Sequence, residues 1–111
     1  MRYEELPERR VELFKKLLNE MMPKVYPVIK HIDITNQNSK NGDIHYIRVF
    51  TTIPDGITSD NYWDSKYAEM DFSWMDAHYV PEILTYLGVN KSRFYRVVYV
   101  YNDNDELIGE F

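Results

Sequence analysis

The chain has 111 residues and a mass of 13.4 kDa, which predicts a single domain with one core and excludes a two-domain enzyme. Its 44% hydrophobic and 28% charged residues are typical of a globular chain, and the net charge of −5 disfavours direct contact with nucleic acid. The absence of Cys excludes thiol catalysis and disulfides, and without a leader-like segment or a membrane-spanning apolar run we expect a cytoplasmic protein that does not enter a membrane.

The first predicted element is a helix from Pro7 to Met22. Pro7 suits a first helical turn, and Pro23 is expected to end the helix because proline lacks an amide donor and disfavours a helical residue before it. Charged residues lie largely opposite the apolar positions, which recur at helical spacing and are Val11, Phe14, Leu17, Leu18 and Met21.

A β-hairpin is predicted next, within residues 28–53. Asn41-Gly42 favours a two-residue type I′ turn, because that turn needs positive φ at both central positions. Lys40 then lies opposite Asp43, and in this register the apolar faces coincide through the pairs Ile34–Val49, Asn36–Ile47, Ile32–Thr51 and Lys30–Ile53.

The pattern after the hairpin predicts a short helix, a longer helix and a second hairpin. The short helix, capped by Ser59 or Asp60, places Trp63, Tyr67 and Met70 on one side. The longer helix covers Val80 to Leu87, with Pro81 in its first turn and Gly88 as its C-terminal cap. Strands are predicted from Phe94 to Tyr101 and from Leu107 to Phe111, joined by a polar turn over 102–105.

These elements predict an α+β fold with the order α-β-β-(aromatic insert)-α-β-β. The two hairpins supply a four-stranded, mainly antiparallel sheet, and the two main helices pack on it.

Residues 54–90 form an acidic aromatic segment. They contain seven Asp or Glu against Lys66 alone, together with both tryptophans. The aromatic residues either anchor a long connection onto the sheet, or remain partly exposed among the carboxylates. The second arrangement suits a basic partner, because aromatic side chains supply binding hot spots and complementary charge speeds association. It predicts a partner-binding set of Asp60, Tyr62, Trp63, Asp64, Tyr67, Glu69, Asp71, Trp74 and Asp76.

An alternative is a metal-dependent nuclease or phosphodiesterase. Pro54-Asp55 followed by Asp64-Ser65-Lys66 resembles the PD-(D/E)xK pattern, in which two carboxylates hold Mg²⁺ and a lysine orients the attacking water. In that family the D/E-x-K residues lie on a strand, whereas Asp64 to Lys66 lies in a segment of helical or irregular pattern. The local negative charge also opposes the approach of DNA.

The histidines do not indicate a metal or cofactor site. Each has only one carboxylate near it in the sequence, and two ligands are too few for a metal. The pairs are His31 with Asp33, His45 with Asp43, and His78 with Asp76.

The last hairpin has a tyrosine-rich face, formed by Tyr95, Val97, Tyr99 and Tyr101. Such a face either stacks nucleic acid bases or is covered within the protein. Since few basic residues lie beside it, we expect it to pack under the insert.

These patterns together predict a small acidic, non-enzymatic binding module, such as an inhibitor, an immunity-type protein or an accessory protein. Its partner would be a protein with a basic surface, bound through the acidic aromatic segment, with no cofactor and no metal. A third possibility is a structural homodimer that pairs through the edge of the C-terminal strand, Leu107 to Phe111.

Overall fold

In the computed structural model, which describes residues 8–39, 42–90 and 94–111, the first helix, α1, covers Glu8–Val25. Pro7 lies outside the described residues, and the predicted stop at Pro23 is wrong. Pro23 lies in the last turn, where its missing N–H removes a single hydrogen bond, and Tyr26 N–H still donates to Met22 O at 2.8 Å. Burial of Met22 and Tyr26 in the core favours the extra turn.

Four strands form one mixed sheet in the order β1-β2-β3-β4, which confirms the predicted α+β fold. The strands are β1 (Ile29–Ser39), β2 (Gly42–Thr51), β3 (Arg96–Tyr101) and β4 (Leu107–Glu110). β1 pairs with β2, and β3 with β4, as antiparallel neighbours. β2 and β3 are parallel and therefore join the two hairpins into one sheet.

The predicted register of the first hairpin is wrong by two residues. Ser39 pairs with Gly42, and Ile32 lies opposite Val49 rather than Thr51. Gly42, predicted to lie in the turn, is therefore the first residue of β2, and Lys40 and Asn41 lie outside the described residues. The observed register sets apolar residues against one another across the core face, and the two-residue slip leaves the side chains from His31 onward on their predicted faces. An irregularity between Ile29 and His31 places Ile29 in the core, where the prediction had Lys30.

The connection from β2 to β3 contains the other helices of the helical layer, beside α1. Two short 3₁₀ helices, Tyr62–Asp64 and Lys66–Met70, precede a continuous helical stretch over 72–86. This stretch comprises α2 (Phe72–Trp74), one π-helical turn (Met75–Tyr79) and α3 (Val80–Tyr86), close to the predicted second helix. No helix among the described residues combines the length and apolar character needed to cross a membrane.

The core lies between the sheet and the helical layer. One face of the sheet contributes Ile32, Ile47, Val49, Val98 and Val100, all buried. α1 contributes Phe14, Leu18 and Met22, and the β2–β3 connection contributes Tyr62, Phe72, Met75, Ile83 and Leu84. The opposite face of the sheet has no helix over it among the described residues, so its side chains are half-buried or exposed.

Candidate protein-interaction surface

The insert, residues 54–71, is fixed by hydrogen bonds between side chains and its own backbone. Asn61 Oδ1 accepts from Thr58 N–H at 2.8 Å, and Asn61 Nδ2 donates to Gly56 O at 2.9 Å. The predicted cap at Ser59 or Asp60 is therefore wrong, because Asn61 closes the turn before the first 3₁₀ helix.

Ser65 divides the predicted single short helix into two. Its hydroxyl donates to Tyr62 O at 2.6 Å and accepts from Tyr67 N–H at 3.2 Å, so it ends one 3₁₀ helix and caps the next. Trp63 is exposed, whereas Tyr67 and Met70 are half-buried against the core.

Two aromatic residues anchor this region to the core. Tyr62 is only 1% exposed, and its hydroxyl donates to Tyr67 O at 3.2 Å. Burial, with a smaller contribution from the negative charge of Asp71, raises the pKa of Tyr62 to about 12. Phe72 is fully buried and stacks on Tyr26 at a centroid distance of 5.1 Å. Tyr62 of the predicted partner-binding set therefore lies in the core and offers no surface to a partner.

Trp63 remains exposed next to the buried Tyr62. It is 65% exposed, and its ring lies 5.9 Å from the ring of Phe111. Asp60 and Asp64, on either side of it in the sequence, are also exposed. This part of the insert combines a large aromatic surface with carboxylates.

Trp74 forms a second exposed aromatic position. It is 48% exposed and stacks on His78 at a centroid distance of 3.5 Å. It lines a groove of about 360 Å³ together with Tyr79, Glu69 and Asp71. Both carboxylates are exposed, so Trp74 also has an acidic surrounding.

Asp76 holds the helical layer to the sheet. Arg96 Nε donates to Asp76 Oδ1 at 2.9 Å, and Arg96 Nη2 donates to Asp76 O at 2.8 Å. Both side chains are largely buried, which makes Asp76 a structural residue in the free chain.

The residues of the nuclease-like pattern lie on separate local structures. Asp55 occupies the turn after β2 and lines a shallow groove with Asp103. Asp64 ends the first 3₁₀ helix, and Lys66 begins the second with its Nζ 5.3 Å from the centroid of the Tyr67 ring. Asp64 and Lys66 therefore have no strand backbone to place them as in the family pattern.

The three histidines are each stacked on a different aromatic ring. His31 stacks on Phe50 at 4.6 Å, and the buried His45 stacks on Phe94 at 4.4 Å. Within the described ranges, no group of three or more His, Asp or Glu side chains is placed to hold a metal ion.

The tyrosine-rich face of β3 lies on the side of the sheet away from the helices, so the prediction that it packs under the insert is wrong. Val98 and Val100, which point the other way, are the buried residues of this strand. The rings pack side by side across the strands, with Tyr46 stacked on Tyr99 at 5.6 Å and Phe50 on Tyr101 at 4.8 Å. Stacked rings cover each other's faces, whereas a platform for nucleic acid bases needs those faces exposed.

Arg48 lies at the centre of this open sheet face. Its guanidinium is 5.4 Å from the Tyr46 ring centroid and 5.5 Å from that of Tyr99. It also donates hydrogen bonds to the hydroxyls of Tyr101 and Thr35. The Arg48 side chain therefore makes its contacts within the sheet, chiefly with aromatic residues.

An apolar groove, which no pattern in the sequence predicts, lies between α1 and α3. It has a volume of about 280 Å³ and is lined by Leu17, Met21, Ile83 and Tyr86, among others. Leu17 and Met21 belong to the apolar pattern of α1, but Leu17 is half-buried and Met21 is 42% exposed. Helical spacing identifies apolar residues without showing which of them face the core.

Comparison with protein-family models, with curated proteins and with solved structures found no match for this chain.

Proposed function

We propose that this chain is a small non-enzymatic binding protein, in the class of inhibitors, immunity-type proteins and accessory proteins, which docks a basic protein partner through its acidic aromatic segment. The observation that carries the proposal is the exposure of Trp63 and Trp74, 65% and 48%, whereas the aromatic residues near them in the sequence, Tyr62, Tyr67, Phe72 and Tyr79, are buried or half-buried. Tryptophan is among the residues most enriched in binding hot spots, since it buries a large area on contact.

The charge of the same segment supports a basic partner. Asp60, Asp64, Glu69 and Asp71 are exposed around the two tryptophans, and Lys66 is the only cation in residues 54–90. Such a field accelerates the approach of a positively charged surface and weakens with added salt. Within the predicted set, Tyr62 and Asp76 contribute to folding instead, and the proposed contact residues are Asp60, Trp63, Asp64, Tyr67, Glu69, Asp71 and Trp74.

The test is a pull-down with the tagged chain from lysate of the cells that encode it, at low and moderate salt. The variant Trp63→Ala/Trp74→Ala is run in parallel, with Leu107→Ala as a control for an exposed apolar residue on β4. A near-stoichiometric partner that is retained by the control and lost with the double variant and with salt would support the proposal. A partner retained by the double variant, or no partner at all, would contradict it.

The position of β4 favours a second candidate, a structural homodimer. β4 is an edge strand of the described sheet, and an edge strand can pair with its counterpart in another copy. A mass measurement in solution distinguishes this association from binding to a different protein.

A further inference from the structure

α1 carries two apolar stripes, of which only one faces the core. Phe14, Leu18 and Met22 recur every four residues and are fully buried. The second stripe has the same spacing and lies one residue earlier at each turn. Its members are Leu13, Leu17, Met21 and Val25, of which Leu17 is half-buried and the other three are more than 40% exposed.

The helical stretch 72–86 supplies the opposite wall of a groove along the central part of this second stripe, at Leu17 and Met21. Ile83 and Tyr86 face Leu17 and Met21 across the groove, and Tyr86 is 79% exposed. Tyr79 lines both this groove and the adjoining one that contains Trp74. The two grooves therefore adjoin at Tyr79 and together run from α3, past the C-terminal half of α1, to one of the two exposed tryptophans.

The walls of the groove indicate the backbone conformation of its occupant. Both walls are helical, so they offer no strand edge with which an extended segment could pair its N–H and C=O groups. A helix satisfies those groups internally. The α1 residues that line the two adjoining grooves, Leu17, Met21 and Val25, span about 12 Å at 1.5 Å per residue, which matches roughly two turns of a docked helix.

The charge of the groove indicates the chemistry of its occupant. Glu82 lines the part beside α3, and Glu69 and Asp71 line the part beside Trp74. No Lys or Arg lines either part in the described residues. A second copy placed groove to groove would bring these carboxylates together, whereas a helix with basic flanks complements them.

We propose that the groove formed by α1, α3 and Trp74 binds an amphipathic helix of the partner, with apolar anchors about four residues apart and Lys or Arg beside them. This inference rests on the proposed function and adds to it the form and chemistry of the partner segment. It also extends the contact surface from the insert to α1, where Met21 and Val25 lie outside the acidic aromatic segment.

The test uses a synthetic helical peptide of about 14 residues with Leu at every third or fourth position and Lys elsewhere, and an acidic twin with Glu in place of Lys. Binding is measured by titration calorimetry, and the contact surface is mapped from backbone amide shifts. We expect the basic peptide to bind along α1 and α3, and Met21→Ala or Tyr86→Ala to weaken it about tenfold. Leu107→Ala, the matched control on β4, should leave its affinity unchanged.

The inference is overturned if the acidic twin binds equally well, if the groove variants bind like the control, or if the shifts map to the open sheet face. Its failure differs from failure of the proposed function. A partner that is captured from lysate, lost with Trp63→Ala/Trp74→Ala and retained by Met21→Ala and Tyr86→Ala supports the proposed function and excludes the groove.

Discussion

At the scale of single residues, two tyrosine hydroxyls connect the insert to the core. Tyr26 donates to Asp71 O at 3.1 Å, and Tyr62 donates to Tyr67 O at 3.2 Å. Burial, followed by smaller contributions from Tyr79 and Asp71, raises the pKa of Tyr26 to about 12, and burial with Asp71 raises that of Tyr62 to about 12. Because each hydroxyl is the donor in its hydrogen bond, ionisation removes that contact with the insert.

These raised pKa values predict a loss of stability at alkaline pH. The unfolded tyrosines titrate near pH 10, so above that pH the unfolded state releases protons that the folded state keeps. Below pH 10 each hydroxyl makes its full contribution to the free energy of unfolding. Above pH 10 that contribution falls by about 1.4 kcal/mol per pH unit until the pKa of the folded state is reached. Urea unfolding between pH 8 and pH 11.5 should show this decline.

The variant Tyr62→Phe provides the control for this decline. It removes one titrating group and one hydrogen bond, so it should be less stable at pH 8 and lose less stability between pH 10 and pH 11.5. Equal pH dependence in the variant and the parent chain would contradict a role for the Tyr62 hydroxyl.

The sequence predicts the composition of the candidate site but not the exposure of each member. Tyr62 and Trp63 are neighbours of similar character, yet Tyr62 lies in the core and Trp63 in solvent. A 3₁₀ helix of three residues is too short to produce a periodic apolar pattern, so tertiary contacts alone separate them. The same limit applies to Met21, which has core spacing on α1 and faces a groove.

At the scale of elements, Gly88 ends α3 in the manner that the sequence predicts. Its φ is 76°, its N–H donates to Thr85 O at 3.0 Å, and Val89 N–H donates to Leu84 O at 2.9 Å. These are the paired hydrogen bonds of a Schellman motif, which requires a left-handed residue at this position.

Gly88→Ala is therefore expected to destabilise the chain by about 1 kcal/mol, because alanine is strained at positive φ. Gly56→Ala is the matched control, since an added Cβ meets no atom within 4 Å at either position and only Gly88 has a positive φ. In urea unfolding, Gly88→Ala should have a lower free energy of unfolding than the parent chain, and Gly56→Ala an equal or higher one. Equal stability of the two variants would show that φ does not decide the effect.

The edge of β1 is protected by a side chain of α1. Asn19 Oδ1 accepts from Ile32 N–H and Asn19 Nδ2 donates to Ile32 O, both at 2.8 Å, as a neighbouring strand would. Such a contact satisfies the edge backbone and hinders pairing with other chains.

Replacing Asn19 by Ala leaves the Ile32 backbone without these two bonds. We expect the free energy of unfolding to fall by about 1–2 kcal/mol, together with faster aggregation on heating. Glu12→Ala, at an exposed position of the same helix, controls for the change in helix propensity. Thermal unfolding with light scattering measures both effects, and identical behaviour of the two variants would contradict the protective role of Asn19.

The helices and strands are largely predictable from the sequence, whereas strand pairing is less so. The hairpin register is wrong by two residues because such a shift keeps Ile32, Ile34, Ile47 and Val49 on the same face, so alternation alone does not distinguish the registers. The parallel pairing of β2 with β3 depends on how the connection 52–95 folds, and no local pattern in either strand specifies it.

At the scale of the whole molecule, the sheet is covered on one face and has edges at β1 and β4. Asn19 satisfies part of the β1 edge, so β4 is the more accessible edge for a second copy. Phe111 N–H donates to Val98 O at 2.8 Å, so its backbone faces β3. Strand alternation then directs the backbone N–H of Glu110 away from β3.

If the chain forms the homodimer through β4, Glu110→Pro should abolish it, because proline removes an outward donor without removing a bond to β3. Glu110→Ala keeps the donor and removes the carboxylate, so it should dimerise at least as well as the parent. Light scattering after size-exclusion chromatography, over a range of concentrations, measures the mass. A parent that remains monomeric throughout, or a proline variant that dimerises like the alanine variant, would exclude pairing through β4. In that case the proposed surfaces for association are the acidic aromatic segment and the groove formed by α1, α3 and Trp74.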